Sequence, residues 1–485
     1  MNKVGIIWFC VGLLAQISFA CATPPGADNK PLHQYIEPTL GTKCPYIPPE
    51  QPEPPPDNCT LVHINHLGRH GSRHPGDGNV WLKDFLKPAE ALGFRNSTGN
   101  TLTPKGQQLT ATFNRLNALY SSPKSPAGSI TLQGEQELAG IAQRMITSSG
   151  LESKEFLKQL QQHSSTAKST FVHRTQTSRA AFLNSWKDTF NSQTPLNITL
   201  KTPQKGDIDT ELVFYYYCKE TIEIWERLTT AYKGQTNAIL NAPGVREKIL
   251  RFAHFFMADP DNKQSETLSE LAYRLCALDS NQNYSLGICQ LLMEAPEYQT
   301  IFQVFGRITS IKQFYSRGPA KEYEGRNGVC SIDLLNNFLT TTASAIRANA
   351  ENRKNTPFAE LRFGHESAIL RFSQILDLIT YENSTDKSGN IIWNTCTLCP
   401  MAANTIWQTF RCDEPDKKET PSYKIRMLVN ERVTHFPIPG CQSDDGLCDW
   451  STVEAHYRNE YRGITLEGVC GEIGPQYNYQ TWDNN

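Results

Sequence analysis

The segment that most constrains this chain is Arg69-His70-Gly71-Ser72-Arg73-His74-Pro75, set directly behind Leu61-Val62-His63-Ile64-Asn65-His66-Leu67. The earlier run alternates apolar and polar residues, the period of a strand. The later one places two arginines around a histidine and a glycine and closes on a proline. A strand that ends in such a loop calls for a sheet that holds the loop rigidly while leaving it reachable.

These residue types in this order suit a phosphoryl group. Arg69 and Arg73 offer planar, permanently charged forks for its oxygens. His70 can attack phosphorus if one ring nitrogen is fixed as a donor and the other is left open. Gly71 allows close backbone approach. Any one of these residues alone reads as a surface ion pair or a core contact. Together, behind a strand, they read as a site.

At 485 residues the chain is long enough for more than one domain. Its formal net charge of -2 gives no sign of a nucleic-acid or membrane-surface partner. An anionic substrate must therefore be met by local arginines. Met1-Asn2-Lys3, the apolar run from Val4 to Phe19 and Ala20-Cys21-Ala22 predict a signal peptide over 1–22. The apolar run is short for a membrane span.

Of 14 cysteines, Cys10 and Cys21 would leave with that peptide, and the even remainder predicts disulfides. Cys441 and Cys448 are placed to close a small loop worth roughly 2–3 kcal/mol. Cys396-x-x-Cys399 has no second pair at zinc spacing and no thioredoxin-like context, so neither metal nor redox chemistry is expected of it. Sequons stand at Asn58, Asn96, Asn197, Asn283 and Asn383, and the last residues, Thr481 to Asn485, carry no retention signal. The expected location is secreted, or the lumen of the secretory pathway or periplasm.

Proline-rich residues 23–56 read as an extended arm. Helical periodicity is expected from Gly134 to Gly150, from Ser178 to Phe190, and almost throughout Glu211 to Arg353. Phe358 to Gly364 reads as a strand followed by a helix, and Tyr423 to Val429 as a strand that Asn430-Glu431 turns back. This order predicts an α/β core over 57–205 and 354–470, interrupted by an α-helical cap over 206–353.

Arg69-His70-Gly71-x-Arg73-x-Pro75 resembles the signature of the histidine acid phosphatase family, branch two of the histidine phosphatases. Ser169-Thr170 with Arg174-Thr175 and Ser178 resembles a second family stretch, and Phe363-Gly364-His365-Glu366-Ser367 a third. Within the family the likeness is greatest to multiple inositol polyphosphate phosphatases and phytases. It is carried by Phe214-Tyr215-Tyr216-Tyr217-Cys218, Ile311 to Gly318, Pro400-Met401-Ala402-Ala403-Asn404 and Ile425 to Glu431. The resemblance implies a histidine-phosphatase-like α/β core with helices on both faces of the sheet. It implies that His70 is the nucleophile, that Arg69, Arg73, Arg174 and His365 bind phosphate, and that no cofactor or metal is needed.

One departure stands out. Inositol polyphosphate phosphatases of this family usually read His-Ala-Glu, and other members His-Asp; this chain reads His365-Glu366-Ser367. Either a protonated Glu366 donates to the leaving alcohol from the adjacent position, or the donor is lost or relocated. Lys83, Lys168, Lys312 and Arg362 could line a basic pocket, and each is read as an ordinary surface charge. The resemblance implies an exported phosphomonoesterase on inositol polyphosphates, working through a phosphohistidine with a small-molecule partner. The alternatives are a broad-specificity phosphatase of small monoesters and, behind it, a non-catalytic phosphate-binding homologue.

Overall fold

A strand of eleven residues, β1 (Cys59–Arg69), lies at the centre of the sheet. The computed structural model describes residues 39–76, 78–94, 101–190, 195–353, 356–413 and 422–471. The expected signal peptide and the Asn96 sequon lie outside these residues. The other strands are β2 (Ser164–Ser169), β3 (Ile198–Lys201), β4 (Pro357–Gly364), β5 (Asn404–Cys412), β6 (Ser422–Val429), β7 (Arg432–Thr434) and β8 (Leu447–Asp449). Their order is β3-β2-β4-β1-β5-β6-β7, with β8 added to β6.

The pairings β1–β4, β2–β4 and β2–β3 are parallel, while β5 to β8 pair antiparallel. The register aligns Arg69 with Gly364 and Ser169 with Phe363. The carboxyl ends of β1, β2 and β4 therefore emerge side by side. In a parallel α/β sheet this is the edge at which sites form.

Helices cover both faces. On one, Leu132–Ser148, Ser153–Gln162 and His173–Phe190 bury Leu138, Ile141, Phe182 and Trp186 against Ile64, Leu361 and Ile406. On the other, Ile332–Ala350, Glu366–Ile375 and Trp450–Glu460 bury Phe338, Phe372 and Tyr457 around Trp407. Ile406 and Trp407 are neighbours in β5 and serve opposite faces, as the strand period requires. With both faces covered, the polar positions of β1 are buried too. Asn65 is sealed by hydrogen bonds from Arg362 (2.9 Å) and to Thr342 (2.9 Å). Asn430 and Glu431, with φ of 50° and 63°, form the two-residue turn that reverses β6 into β7.

A third apolar cluster roofs the sheet edge. It packs residues from Trp81 to Tyr120 against the helices Val245–His254, Asn262–Ser280 and Tyr298–Arg317. The roof thus draws on the first segment of the chain as well as on the helical block.

Five disulfides join Cys44–Cys396, Cys59–Cys412, Cys218–Cys470, Cys276–Cys289 and Cys441–Cys448. The Cys441–Cys448 loop is the one expected from spacing. Cys330 and Cys399 are free and buried, so the even count does not resolve into six bridges. Among the described residues no helix is long and apolar enough to cross a membrane.

Candidate active site

The three motif segments meet where the parallel strands end. Arg69 closes β1 and His70 begins the loop beyond it. Ser169 closes β2, and Arg174 follows in the first turn of His173–Phe190. Gly364 closes β4, and His365 caps the helix Glu366–Ile375. The backbone joins the first and third segments directly, since the His70 amide donates to Gly364 O at 3.1 Å.

His70 is 3 % exposed, and its Nδ1 lies 3.0 Å from Gly71 O. A carbonyl only accepts, so Nδ1 carries the proton and Nε2 keeps its lone pair. Burial pushes the His70 pKa well below the ordinary histidine range, and Arg174, Arg69 and Arg73 push it the same way. The ring therefore stays neutral into acid pH.

The His365 ring stands edge-on to His70, centroids 5.6 Å apart. Its Nδ1 is 3.2 Å from Arg174 Nη2 and its Nε2 is 3.2 Å from Thr170 Oγ1. Guanidinium only donates, so Nδ1 accepts and Nε2–H goes to Thr170. His365, expected on phosphate, stands beside His70 and accepts from Arg174.

Arg69 is 1 % exposed and held along one side. Its Nη1 donates to Thr42 O (2.7 Å), Cys399 O (2.8 Å) and Pro400 O (3.0 Å), and its Nη2 to Glu366 Oε2 (2.8 Å). Its Nε–H is buried with no acceptor among the described residues, a donor left over for an anion.

Glu366 departs from expectation. Its second oxygen lies 3.3 Å from Arg317 Nη1, and Arg317 Nε donates to Ser367 Oγ at 2.7 Å. Burial alone would push this carboxyl up, but Arg317, Arg69, Lys43 and Arg73 outweigh it and hold it at about 2. Its place in the first turn of a helix favours the same ionised form. Glu366, expected as the proton donor, is paired with Arg69 and Arg317.

The loop itself is braced from below. Glu137 accepts from the Ser72 amide and hydroxyl, both at 2.7 Å. A Cβ on Gly71 would collide with the backbone of Gly134, where the helix Leu132–Ser148 begins. Beside the loop opens a cavity of about 190 Å³. Lys43, Arg73 and Lys312 line it, together with Tyr273, Phe305 and the ion pair of Arg274 with Asp84.

No family model matches the chain. It is 21 % identical over 468 residues to multiple inositol polyphosphate phosphatase 1 of Homo sapiens, covering 93 % of this chain and 90 % of that one. The fold is similar to a Bifidobacterium longum multiple inositol polyphosphate phosphatase solved with inositol hexasulfate, at a TM-score of 0.62 and 13 % identity, covering 87 % and 98 % of the two chains. A phytase from D. castellii matches at a TM-score of 0.58 and 18 % identity, covering 93 % and 91 %. These likenesses are to inositol polyphosphate phosphatases, phytases and acid phosphatases.

The candidate site is wider than the sequence motifs. Sequence reasoning missed Arg317, Lys43 and Glu137 as parts of it. Arg317 ends a segment that resembles the family but carries no mark of its partner, and Lys43 lies 26 positions before Arg69. Of the four basic residues read as surface charges, Lys83 is exposed. Lys168 pairs with Asp209 at 2.8 Å. Arg362 is sealed in the core at 2 % exposure. Lys312 instead lines the cavity, contrary to that reading.

Proposed function

We propose that this chain is a histidine acid phosphatase, an exported phosphomonoesterase in which His70 attacks phosphorus. The observation that carries the proposal is the His70 ring: Nδ1–H is pinned to Gly71 O, leaving Nε2 open beside Arg69, Arg73 and Arg174. Nε2 forms a bond to phosphorus as the ester P–O bond breaks. Arg69 Nε–H, Arg73 and Arg174 stabilise the charge on the non-bridging oxygens. His365 holds Arg174 in place. Water then attacks the phosphohistidine, and His70 leaves as a neutral ring. Since the His70 pKa is depressed, the acid limb of kcat/KM should lie below the ordinary histidine range.

Five disulfides support an oxidising compartment. Inositol polyphosphates are the favoured substrates, because one similar protein is named for that class, a structural neighbour was solved with inositol hexasulfate, and Lys312 on the cavity wall can meet an additional phosphate. Residues of the helical stretch, among them Tyr273, Phe305 and Ile308, wall this cavity together with Val80, Asp84 and Phe85. A second reading, small monoesters with an apolar leaving group, is favoured by the cavity's modest volume and by Phe85, Phe305 and Ile308 on its wall.

The test is phosphate release from inositol hexakisphosphate and from an aryl phosphate, with H70A as control. Wild type should turn over and acquire acid-labile phosphate, and H70A should do neither. Labelled phosphate on H70A would remove His70 as the nucleophile.

A further inference from the structure

A phosphohistidine route on an alkyl ester must protonate the departing alcohol, and the carboxyl expected for that step is held between Arg69 and Arg317. Ser367, where the family resemblance would place a glutamate, accepts from Arg317 at 2.7 Å. Other titratable groups lie near His70 and the cavity. His74 is tied to Tyr120 through Nδ1 at 2.9 Å. Glu137 lies beneath the loop and is committed to Ser72. Tyr273 donates to Thr39 O at 3.2 Å. Lys43 is different: it lines the cavity, and its ammonium makes no hydrogen bond or ion pair with any described residue.

The backbone sets Lys43 beside the reaction centre through three ties. Thr42 O accepts from Arg69 Nη1 at 2.7 Å. The side chain of Asn281 bridges Lys43 to Arg73, donating to Lys43 O at 2.7 Å and accepting from the Arg73 amide at 3.2 Å. Successive amides of one loop reach both neighbours, Met401 N to Cys44 O at 2.8 Å and Ala402 N to His70 O at 3.0 Å. The Cys44–Cys396 bridge locks the same junction.

We propose that Lys43, not Glu366, hands the proton to the leaving oxygen. This rests on the phosphohistidine reading above. In the first step a bond forms from His70 Nε2 to phosphorus, the ester P–O bond breaks, and a proton passes from Lys43 Nζ to the alkoxide. In the second step water attacks phosphorus and loses its proton to the neutral amine, the P–N bond breaks, and inorganic phosphate departs. No other reactant is required.

The electrostatics agree. Burial lowers the Lys43 pKa well below the ordinary lysine value. Arg73 lowers it further, Glu366 opposes, and Arg69 and Arg317 add to the lowering. The other charges on the cavity wall are Lys312 and Arg274 with Asp84 and Glu270. A cation crowded by cations gives up a proton readily. Glu366 then acts as the counter-ion that keeps Arg69 and Arg317 in place.

The experiment compares K43R, K43M and E366Q with wild type on an alkyl phosphate and on p-nitrophenyl phosphate, across pH. Arginine keeps the charge but cannot release a proton. K43R and K43M should both lose about 10²–10³-fold on the alkyl ester and far less on the aryl ester. Both should lose the alkaline limb of kcat/KM that wild type shows, and both should accumulate acid-labile phosphoenzyme with the aryl ester. E366Q should slow both esters alike. Wild-type leaving-group dependence in K43R, or selective alkyl-ester loss in E366Q, overturns Lys43 as the donor while leaving His70 standing. A wild-type protein that turns over neither ester overturns the phosphatase reading itself.

Discussion

The two sides of His70 follow opposite electrostatic rules. On the closed side, Arg69 and Arg317 share Glu366, and Arg69 also takes three backbone carbonyls. On the open side, Lys43 and Lys312 face a cavity whose two carboxylates, Asp84 and Glu270, are both engaged by Arg274. Both sides are cationic, arginine on the closed side and lysine on the open one. A cation satisfied from within fixes geometry. A cation facing open space without a carboxylate of its own is available to a ligand or to proton transfer.

The largest effect should come from breaking the closed side. In E366Q, Arg69 and Arg317 face each other without a counter-charge, at a cost of roughly 3–5 kcal/mol for a buried pair that loses one partner. The folded carboxyl sits at about 2, below its ordinary value. Its contribution is therefore present above the ordinary carboxylate range and is lost as pH falls through about 2. Thermal unfolding of E366Q against wild type at neutral pH should show this gap. Equal stability would mean that the carbonyls alone hold Arg69.

Disulfide removal sharpens the comparison next. The Cys44–Cys396 loop is nested within reach of Cys59–Cys412, so its effective length is roughly 30 residues and its loss should cost about 3 kcal/mol. The 13-residue Cys276–Cys289 loop in the roof should cost about as much. Only C44A/C396A should also reduce kcat, because only that bridge pins Thr42 on Arg69 and Lys43 beside the loop. Matched unfolding and kinetic measurements on both double variants check this. An equal fall in kcat would show a general loss of rigidity.

What the sequence discloses follows the same division. His70 with its arginines is contiguous, chemically distinctive and preceded by a strand, so the motif is legible without structure. Strand β5, beside β1, is not, because Thr405, Gln408 and Thr409 break the apolar pattern yet are fully buried between two covered faces. The Glu366 side chain is legible but its protonation state is not, since that depends on Arg317, 49 positions earlier. Lys43 is the hardest case. Nothing local marks it, and it matters only because Asn281 and the 400–402 loop carry it to His70.

The smallest effect should come from Lys312, which tests whether the open side is there for ligand. Burial lowers its pKa to about 8, helped by Arg317 and Arg274 and opposed by Asp84 and Glu270. It is therefore charged below about pH 8 and loses that charge as pH rises through it. K312M should raise KM for inositol hexakisphosphate by about fivefold, near 1 kcal/mol for a partly solvated ion pair. It should leave kcat for p-nitrophenyl phosphate unchanged, since that ester has no second phosphate to meet. The KM difference should shrink above pH 8, where wild type has lost the same charge. A K312M protein with unchanged KM at pH 6 and a raised melting temperature would mean that the cation is a cost of packing. The open side would then have no role in choosing between the two esters through Lys312.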